Sequence, residues 1–544
     1  MRPGESSRER LITWAMYLLT IGASAVVLYD SIFWNFGYDQ GTFAYGGSAI
    51  LKGARPYLDF WDIKPPNIFY IYALAFKLFG ESVQAIRIFD YLNALLTISL
   101  IWLLSLRLFS SSSRGASPQR EMKSNGLWWT RLVGMFAAFS YVLCYLNQGF
   151  QDTAQAETYA LPLLLGAALI VLPRNGQAPG RLSLVISGAL IGITCFFKFP
   201  LGLFILLPVA ICLLQYRRWS AKLISLGFLT VGLLLALGAQ MLLLLPGGQL
   251  QELWKITREA TLAYSRNNFS GSFSVFHNAR TAVQMFVGLW LVLGGVGCIV
   301  LLWRSDSHRR RNLMLPIGLL IIGAFIGLII VQLQNKGYTY HYQVMLPWVA
   351  ILIGVGMATL AFKLQPSGKW KRVGSAVGLA ILLFIGTLWS GEKALKQSLR
   401  PSEVVQMEGA NGYIAGDALS NYVLAKTAPS DHMFIFGFEP YVYWITGRKP
   451  ATRFLNTIHF KPTYVAADLR HELIDSLTQH PPALIFVEMG DHYTSQGDSF
   501  DDSHSTIQKR YPEISELLST KYLLADTVND VLAYLLISNQ HSVH

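Results

Sequence analysis

Charged side chains are scarce in this chain: Asp, Glu, Lys and Arg make up 14% of its 544 residues, where soluble domains carry roughly 25%. That shortage excludes an ordinary soluble enzyme. Cysteine is scarcer still. Cys144, Cys195, Cys212 and Cys298 all sit inside apolar stretches at no metal-binding spacing, so neither a disulfide framework nor a zinc site is indicated. There is no repeat of fixed period and no nucleotide-binding glycine motif. What is abundant is apolar. Hydrophobic residues reach 52%, with 14 Trp, 25 Tyr and 31 Phe, a composition that buries surface readily and excludes disorder. A polytopic membrane protein remains.

A membrane-spanning helix needs about 20 mostly apolar residues to cross some 30 Å of hydrocarbon. About eleven such runs occur, at 11 to 30, 83 to 109, 127 to 147, 158 to 172, 182 to 198, 200 to 215, 223 to 245, 284 to 303, 313 to 332, 342 to 362 and 373 to 390. The N-terminus carries Arg2, Arg8 and Arg10; if it is cytoplasmic, every second loop should be basic, and each one is. Those loops hold Arg114, Arg120 and Lys123; Arg174 and Arg181; Arg217, Arg218 and Lys222; Arg304 with Arg309, Arg310 and Arg311; and Lys363, Lys369, Lys371 and Arg372. The formal charge of +12 is therefore topological, facing anionic lipid headgroups, and nucleic acid is an unnecessary partner. Ala23-Ser24-Ala25 resembles a cleavage site, but the apolar run continues through Val26, Val27 and Leu28 and is long enough to span, so an uncleaved anchor is expected.

An odd number of spans puts residues 391–544 outside the membrane on the opposite face, and the composition there turns polar and turn-rich. Strand-like runs at Met433 to Phe438, Ala483 to Val487 and Val531 to Ile537 alternate with helical patterns such as Val465 to Leu477, predicting a small α/β domain. The expected organisation is a transmembrane domain over 1–390 and an external domain over 391–544. The Ser-rich stretch Ser110 to Ser113 reads as a cytoplasmic loop.

The first external loop stands out by length and content. It holds Tyr38-Asp39-Gln40, an amphipathic stretch from Thr42 to Leu51, then Arg55-Pro56, Asp59, Phe60, Trp61, Asp62 and Lys64-Pro65-Pro66. A carboxylate just past a span is costly unless solvated or paired, so Asp39 serves either as a helix cap or as a chemical group. Pro65-Pro66 opens a short amphipathic helix, Asn67 to Phe79, that Gly80 ends; it is too short to span and lies at the interface. Lys64 is thereby held at headgroup depth, where a cation suits a lipid phosphate. The charged cluster of Asp59, Asp62 and Lys64 also fits a plain interfacial aromatic belt. Glu157 opens a later span, where the helix dipole alone would favour it. The loop from Pro246 to Val283 carries an amphipathic piece with Trp254, Lys255, Arg258 and Glu259, then Tyr264, Arg266, Asn267 and Asn268. Before the tenth span come Lys336, Tyr340, His341 and Tyr342, suited either to gripping a phosphate or sugar or to an ordinary interfacial role.

The order Tyr38-Asp39, amphipathic helix, Pro56, Lys64-Pro65-Pro66 with aromatics, Phe79-Gly80, Arg87 and a long span resembles the bacterial branch of the GT-C membrane glycosyltransferases. These are relatives of protein O-mannosyltransferases and of lipid A aminoarabinose transferase. Glu157 and the His341-Tyr342 segment extend the resemblance, which covers roughly residues 10 to 390. It implies a GT-C-like polytopic α-helical fold of about eleven helices and a polyprenyl-phosphate sugar donor. It also implies a lipid, glycan or protein acceptor glycosylated with inversion on the external face of a bacterial inner membrane. Carried over residue by residue, Asp39 matches the first-loop acid that acts on the acceptor and Glu157 the second-loop acid. Lys64 matches the lysine on the donor phosphate, with His341 and Arg266 as its helpers. Trp61, Asp62 and Tyr342 are the expected substrate-binding neighbours. Two departures stand out: Gln40 follows Asp39 where many members have Glu, and the second loop lacks the Asp-x-Asp that some relatives use for a metal. No cofactor is implied with certainty, and a divalent metal stays open. Against a lipid or sugar transporter, the charged groups concentrate in external loops, and no paired broken helices or inverted repeat occur. A structural scaffold would leave the first loop unexplained.

Overall fold

Long apolar runs in lipid can satisfy their backbone only by coiling into helices, and this chain does so. The structure is a computed structural model, and the residues it describes are 6–109, 120–174, 177–266, 289–305, 307–363, 413–461, 465–491 and 501–537. The span expected at 373 to 390, the Ser-rich loop at 110 to 113 and the pair Asn267 and Asn268 lie outside the described residues, as does the start of the run at 284 to 303. Among the described residues, six helices are long and apolar enough to cross a membrane: Ser7–Phe33, Val83–Phe109, Leu127–Leu146, Trp219–Leu244, Asn312–Gln334 and Thr339–Phe362. The expected fourth, fifth and sixth spans form shorter apolar helices, Ala156–Val171, Arg181–Cys195 and Phe199–Gln215. The first two have 16 and 15 residues, or roughly 24 Å at 1.5 Å per residue, less than a full hydrocarbon thickness. This is a polytopic α-helical membrane protein.

The chain divides into two compact units: one of Met1–Trp34, Arg87–Gln240 and Ser274–Leu399, the other of Asn35–Ile86, Met241–Phe273 and Arg400–His544. At the centre of the first lie the helices Arg120–Leu146 and Leu346–Lys363. Their apolar stretches are 89% buried, against 17% for Ser7–Phe33 and Trp219–Leu244, whose leucines face outward as lipid-facing residues do. Small residues let these backbones meet, since van der Waals contact drives helix association in lipid. A side chain at Gly354 would strike the Val133 carbonyl and Ala137, and one at Gly294 would strike Ile353. Buried Arg131 ties the N-terminal helix in place by donating to the Glu9 carbonyl at 2.6 Å and the Thr13 hydroxyl at 2.9 Å.

In the second unit, the helix Tyr38–Leu51 packs on Asn67–Phe79. The contact closes at Gly47, where an added Cβ would sit 2.8 Å from Ala73 N and Tyr72 Cβ. Gly80, at φ +87°, ends the second helix at the expected place, in a conformation that glycine adopts cheaply. The same unit contains a five-stranded sheet: β1 (His432–Phe436), β2 (Lys449–Pro450), β3 (Leu484–Glu488), β4 (Tyr522–Val528) and β5 (Val531–Leu536), in the order β2-β1-β3-β5-β4. β1 runs parallel to β2 and β3, and β5 antiparallel to β3 and β4. β3 is buried throughout and β1 nearly so, which is why both appear as unbroken apolar runs in the sequence. The expected strands at 433, 483 and 531 and the helix near 465 are all present. β2 and β4 were not anticipated. β2 is only two residues long, and in β4 the apolar residues run together at Tyr522 to Ala525 without the alternation of a half-buried strand, most of the strand being exposed at the sheet edge. β4 is joined to β5 by Asn529-Asp530, both with positive φ, a tight hairpin turn.

Candidate functional site

The first loop owes its geometry to local hydrogen bonding. Gln40 reaches back so that its Oε1 accepts from Gly37 N at 3.0 Å, capping the helix Tyr38–Leu51, and its side chain is fully buried. A neutral amide does this at lower desolvation cost than a carboxylate, which gives the Gln40 departure a physical reason. Asp39 sits in the first helical turn, where the dipole favours negative charge. Its Oδ1 accepts from Lys64 Nζ at 2.8 Å, and both side chains stay partly open, at 18% and 13% exposure. The ammonium lies 4.6 Å from the centre of the Phe43 ring, one turn along the same helix, an arrangement that favours a cation.

The backbone of Lys64 is pinned on both sides. Its N–H donates to Asp62 Oδ1 at 2.8 Å, and its carbonyl accepts from Tyr57 Oη at 2.9 Å. Tyr57 takes φ +72°, an uncommon conformation for a residue with a side chain, and is held there by donating its N–H to the Phe60 carbonyl at 2.7 Å. Asp62 is buried, and burial raises its carboxyl above the usual carboxylate range, with the Lys64 charge opposing. Asp59 turns away to Arg55 at 3.2 Å, whose hydrogen bond lowers it. The compact charged cluster of the sequence thus resolves into three separate pairings.

Trp61 joins this loop to the sheet domain. Its N–H donates to the Arg453 carbonyl at 2.8 Å, and its buried ring packs on Phe454, His459 and Phe460. The Arg453 guanidinium donates to the Tyr57 carbonyl at 2.6 Å, to Glu252 at 2.9 Å, and to both oxygens of Glu472 at 2.6 and 2.7 Å. Lys255 and Asp468 form a further ion pair in this unit, which lowers the Asp468 carboxyl. Arg266 closes the helix Leu262–Arg266; its side chain lies outside the described residues.

In the first unit, Glu157 is fully buried, and its Oε1 accepts from Lys198 Nζ at 2.5 Å. The same nitrogen donates to Gln334 Oε1 at 2.7 Å and lies 4.8 Å from the centre of the Tyr340 ring. His341 is buried edge-on to Tyr340, at 4.5 Å between ring centres, and Tyr342 is buried completely. Gln343 fastens the second loop to this segment, donating to Gln148 and to the Asp152 carbonyl and accepting from the Thr158 hydroxyl. Arg87 donates to Thr153 and to the carbonyls of Phe150 and Trp34, while Asp90 accepts from Tyr145 Oη. Sequence reasoning missed Lys198, Gln334 and Arg453. A lone lysine within the apolar run Phe196-Phe197-Lys198-Phe199 is the signal that was present; Gln334 and Arg453 carried none.

Among the described residues no group of three His, Cys, Asp or Glu side chains gathers closely enough to hold a metal ion. An open cleft of about 1170 Å³ on the sheet domain is lined by His432, Asp468, His471, Glu472 and His480, and by none of the expected site residues.

The family described as dolichyl-phosphate-mannose-protein mannosyltransferase matches residues 63–116, a stretch that begins beside Lys64. No curated protein sequence matches the chain. Among solved structures, ArnT from Cupriavidus metallidurans bound to undecaprenyl phosphate aligns over 96% of this chain and 98% of its own, at 14% identity and a TM-score of 0.59. The apo state of the same protein gives the same identity and coverage with a TM-score of 0.54. The oligosaccharyltransferase AglB from Archaeoglobus fulgidus, in complex with an inhibitory peptide and a dolichol-phosphate, aligns over 99% of this chain and 75% of its own, at 12% identity and a TM-score of 0.49. At such identities the likeness to ArnT is one of fold, and it runs nearly end to end in both chains. The chain thus has the fold of ArnT, and within it residues 63–116 are similar to the dolichyl-phosphate-mannose-protein mannosyltransferase family.

Proposed function

We propose that the protein is an integral-membrane glycosyltransferase that moves a hexose or pentose from a polyprenyl-phosphate donor to a lipid, glycan or protein acceptor, inverting the anomeric carbon. The observation that carries this reading is the Asp39–Lys64 pair at 2.8 Å, a carboxylate and an ammonium held together and still partly open. The fold shared with ArnT, a protein whose structure holds undecaprenyl phosphate, supports the class of donor. In the reaction, an acceptor hydroxyl or amine attacks the anomeric carbon while the bond from that carbon to the phosphate oxygen breaks. The Asp39 carboxylate takes the acceptor's proton, a role that contributes about a hundred- to ten-thousandfold when a base is positioned. The departing polyprenyl phosphate keeps the bonding electrons, and Lys64 neutralises its developing charge.

Asp62 and Tyr57 act here as positioning residues, since both bond the backbone of Lys64. The roles of Glu157 as second acid, of His341 and Arg266 at the donor phosphate, and of Trp61 and Tyr342 at the substrate rest on family resemblance. The basic loops support a cytoplasmic N-terminus with the α/β domain outside; a bacterial inner membrane rests on the family resemblance.

The test is release of free undecaprenyl phosphate from labelled undecaprenyl-phosphate sugars, using detergent-purified protein, a crude acceptor extract, and Asp39→Asn beside the wild type. Release by the wild type that falls at least a hundredfold in the variant supports transfer chemistry centred on Asp39. No release with any donor from folded protein would sink the reading and make liposome flipping the next assay.

A further inference from the structure

The Glu157–Lys198–Gln334 group contains two hydrogen-bonding positions that the described residues leave unfilled. Glu157 has no exposed surface, and its Oε1 is taken by Lys198, yet its Oε2 is buried with no hydrogen-bond partner. Gln334 presents its Oε1 to the same ammonium, as it must, because turning the amide would set donor against donor. Its Nε2 therefore points elsewhere, and it too is buried with no partner. One lysine nitrogen thus holds two arms, one ending in an unmet acceptor and the other in an unmet donor. Buried polar atoms are almost always paired, so two orphans on one cation point to a ligand.

The chemistry of the orphans selects that ligand. A phosphate oxygen only accepts and would leave Glu157 unmet, whereas an ammonium only donates and would leave Gln334 unmet. A hydroxyl does both. Beside the group, Lys198 lies against Tyr340, whose ring stacks with Tyr338 at 5.7 Å and 14° between planes. Aromatic rings beside a polar group are common neighbours of a sugar. We propose that Glu157, Lys198 and Gln334 form a subsite that recognises one hydroxyl of the sugar carried by the lipid-linked donor, with Glu157 accepting from that hydroxyl and Gln334 donating to it. The proposal rests on the transferase reading for the identity of the donor. It makes Glu157 a specificity-determining group.

The test measures binding separately from turnover. Full-length protein in nanodiscs is titrated with undecaprenyl phosphate, with undecaprenyl-phosphate glucose, mannose, galactose and arabinose, and with the monodeoxy analogues of whichever sugar binds best. Gln334→Met removes the donor while keeping the Glu157–Lys198 pair. A double variant, Glu157→Gln with Lys198→Met, removes both charges together and serves if the first fails to fold. The expected result is that one monodeoxy analogue binds the wild type about tenfold or more weakly than its parent, the scale of one hydrogen bond to a charged group. Gln334→Met should then weaken the parent by a similar factor and leave that analogue unchanged. Equal binding of bare and sugar-loaded lipid, or equal losses for parent and every analogue in the variant, would overturn the subsite, as would failure of every sugar-loaded lipid to bind. Turnover assayed in parallel separates the two claims. Sugar discrimination without transfer sinks the transferase reading alone, and transfer with uniform losses sinks the subsite alone.

Discussion

Replacing Arg453 by Met tests whether the sheet domain holds the first loop in shape. The wild-type side chain is 13% exposed and its guanidinium donates four hydrogen bonds. Methionine keeps the buried stem and removes all four. Glu252 and Glu472 are 25% and 37% exposed, so both can turn to water, and each lost ion pair costs at most about 1 kcal/mol. The Tyr57 carbonyl belongs to a residue with no exposed surface, and leaving it bare costs about 1–3 kcal/mol. Together these come to about 3 kcal/mol, on the order of a hundredfold in the equilibrium for local opening of residues 57–64. The Trp61 amide, which donates to the Arg453 carbonyl at 2.8 Å, reports that opening directly. Hydrogen exchange of peptides covering 57–64, followed by mass spectrometry in nanodiscs, should speed up by about that factor. A rise of less than about threefold would refute the clamp. A rise spread evenly over the whole sheet domain would refute it too, because the damage would then be global.

Three further outcomes are expected. Lys64→Met should lower kcat for release of undecaprenyl phosphate by about 10²–10³, the scale for removing one preorganised partner of developing negative charge, with Lys64→Arg retaining part of the activity in steady-state kinetics. Gly47→Val should destabilise the fold by roughly 2 kcal/mol, because its added carbons meet Ala73 N and Tyr72 Cβ at 2.8 Å and backbone cannot give way; folded yield on size exclusion and the melting midpoint check this. Glu488, at the end of β3, accepts from Phe438 N at 2.7 Å, and burial, with Asp491 adding, pushes its carboxyl from the usual 4.5 up to about 8. Because the folded form holds that proton more tightly than the unfolded chain, its contribution to stability is complete below about 4.5 and lost as pH rises through about 8. Unfolding of the sheet domain at pH 5 and pH 9 should show that decline, and Glu488→Gln should flatten it.

Asp39, Lys64 and the short helix from Asn67 to Phe79 could be named from the sequence for physical reasons. A carboxylate beside a span, a lysine before two prolines and an amphipathic run ended by glycine are each local signals, set by residues within a few positions of one another. The long apolar runs were legible because lipid admits little but helices. β1, β3 and β5 were legible because a buried strand must be apolar. The pairings were not. Asp59, Asp62 and Lys64 lie within six positions, yet one turns to Arg55, one to the Lys64 backbone and one to Asp39 across 25 residues.

What the sequence by itself determined is the solvent each segment occupies, because hydrophobicity and charge are properties of the residues alone. What only the tertiary structure decided is which buried polar groups meet. Lys198 finds Glu157 and Gln334 at separations of 41 and 136 residues, and Arg453 finds Tyr57 at 396. A buried charge must be paired somewhere, but the partner is chosen by how the helices and the sheet pack, and no pattern along the chain records that choice.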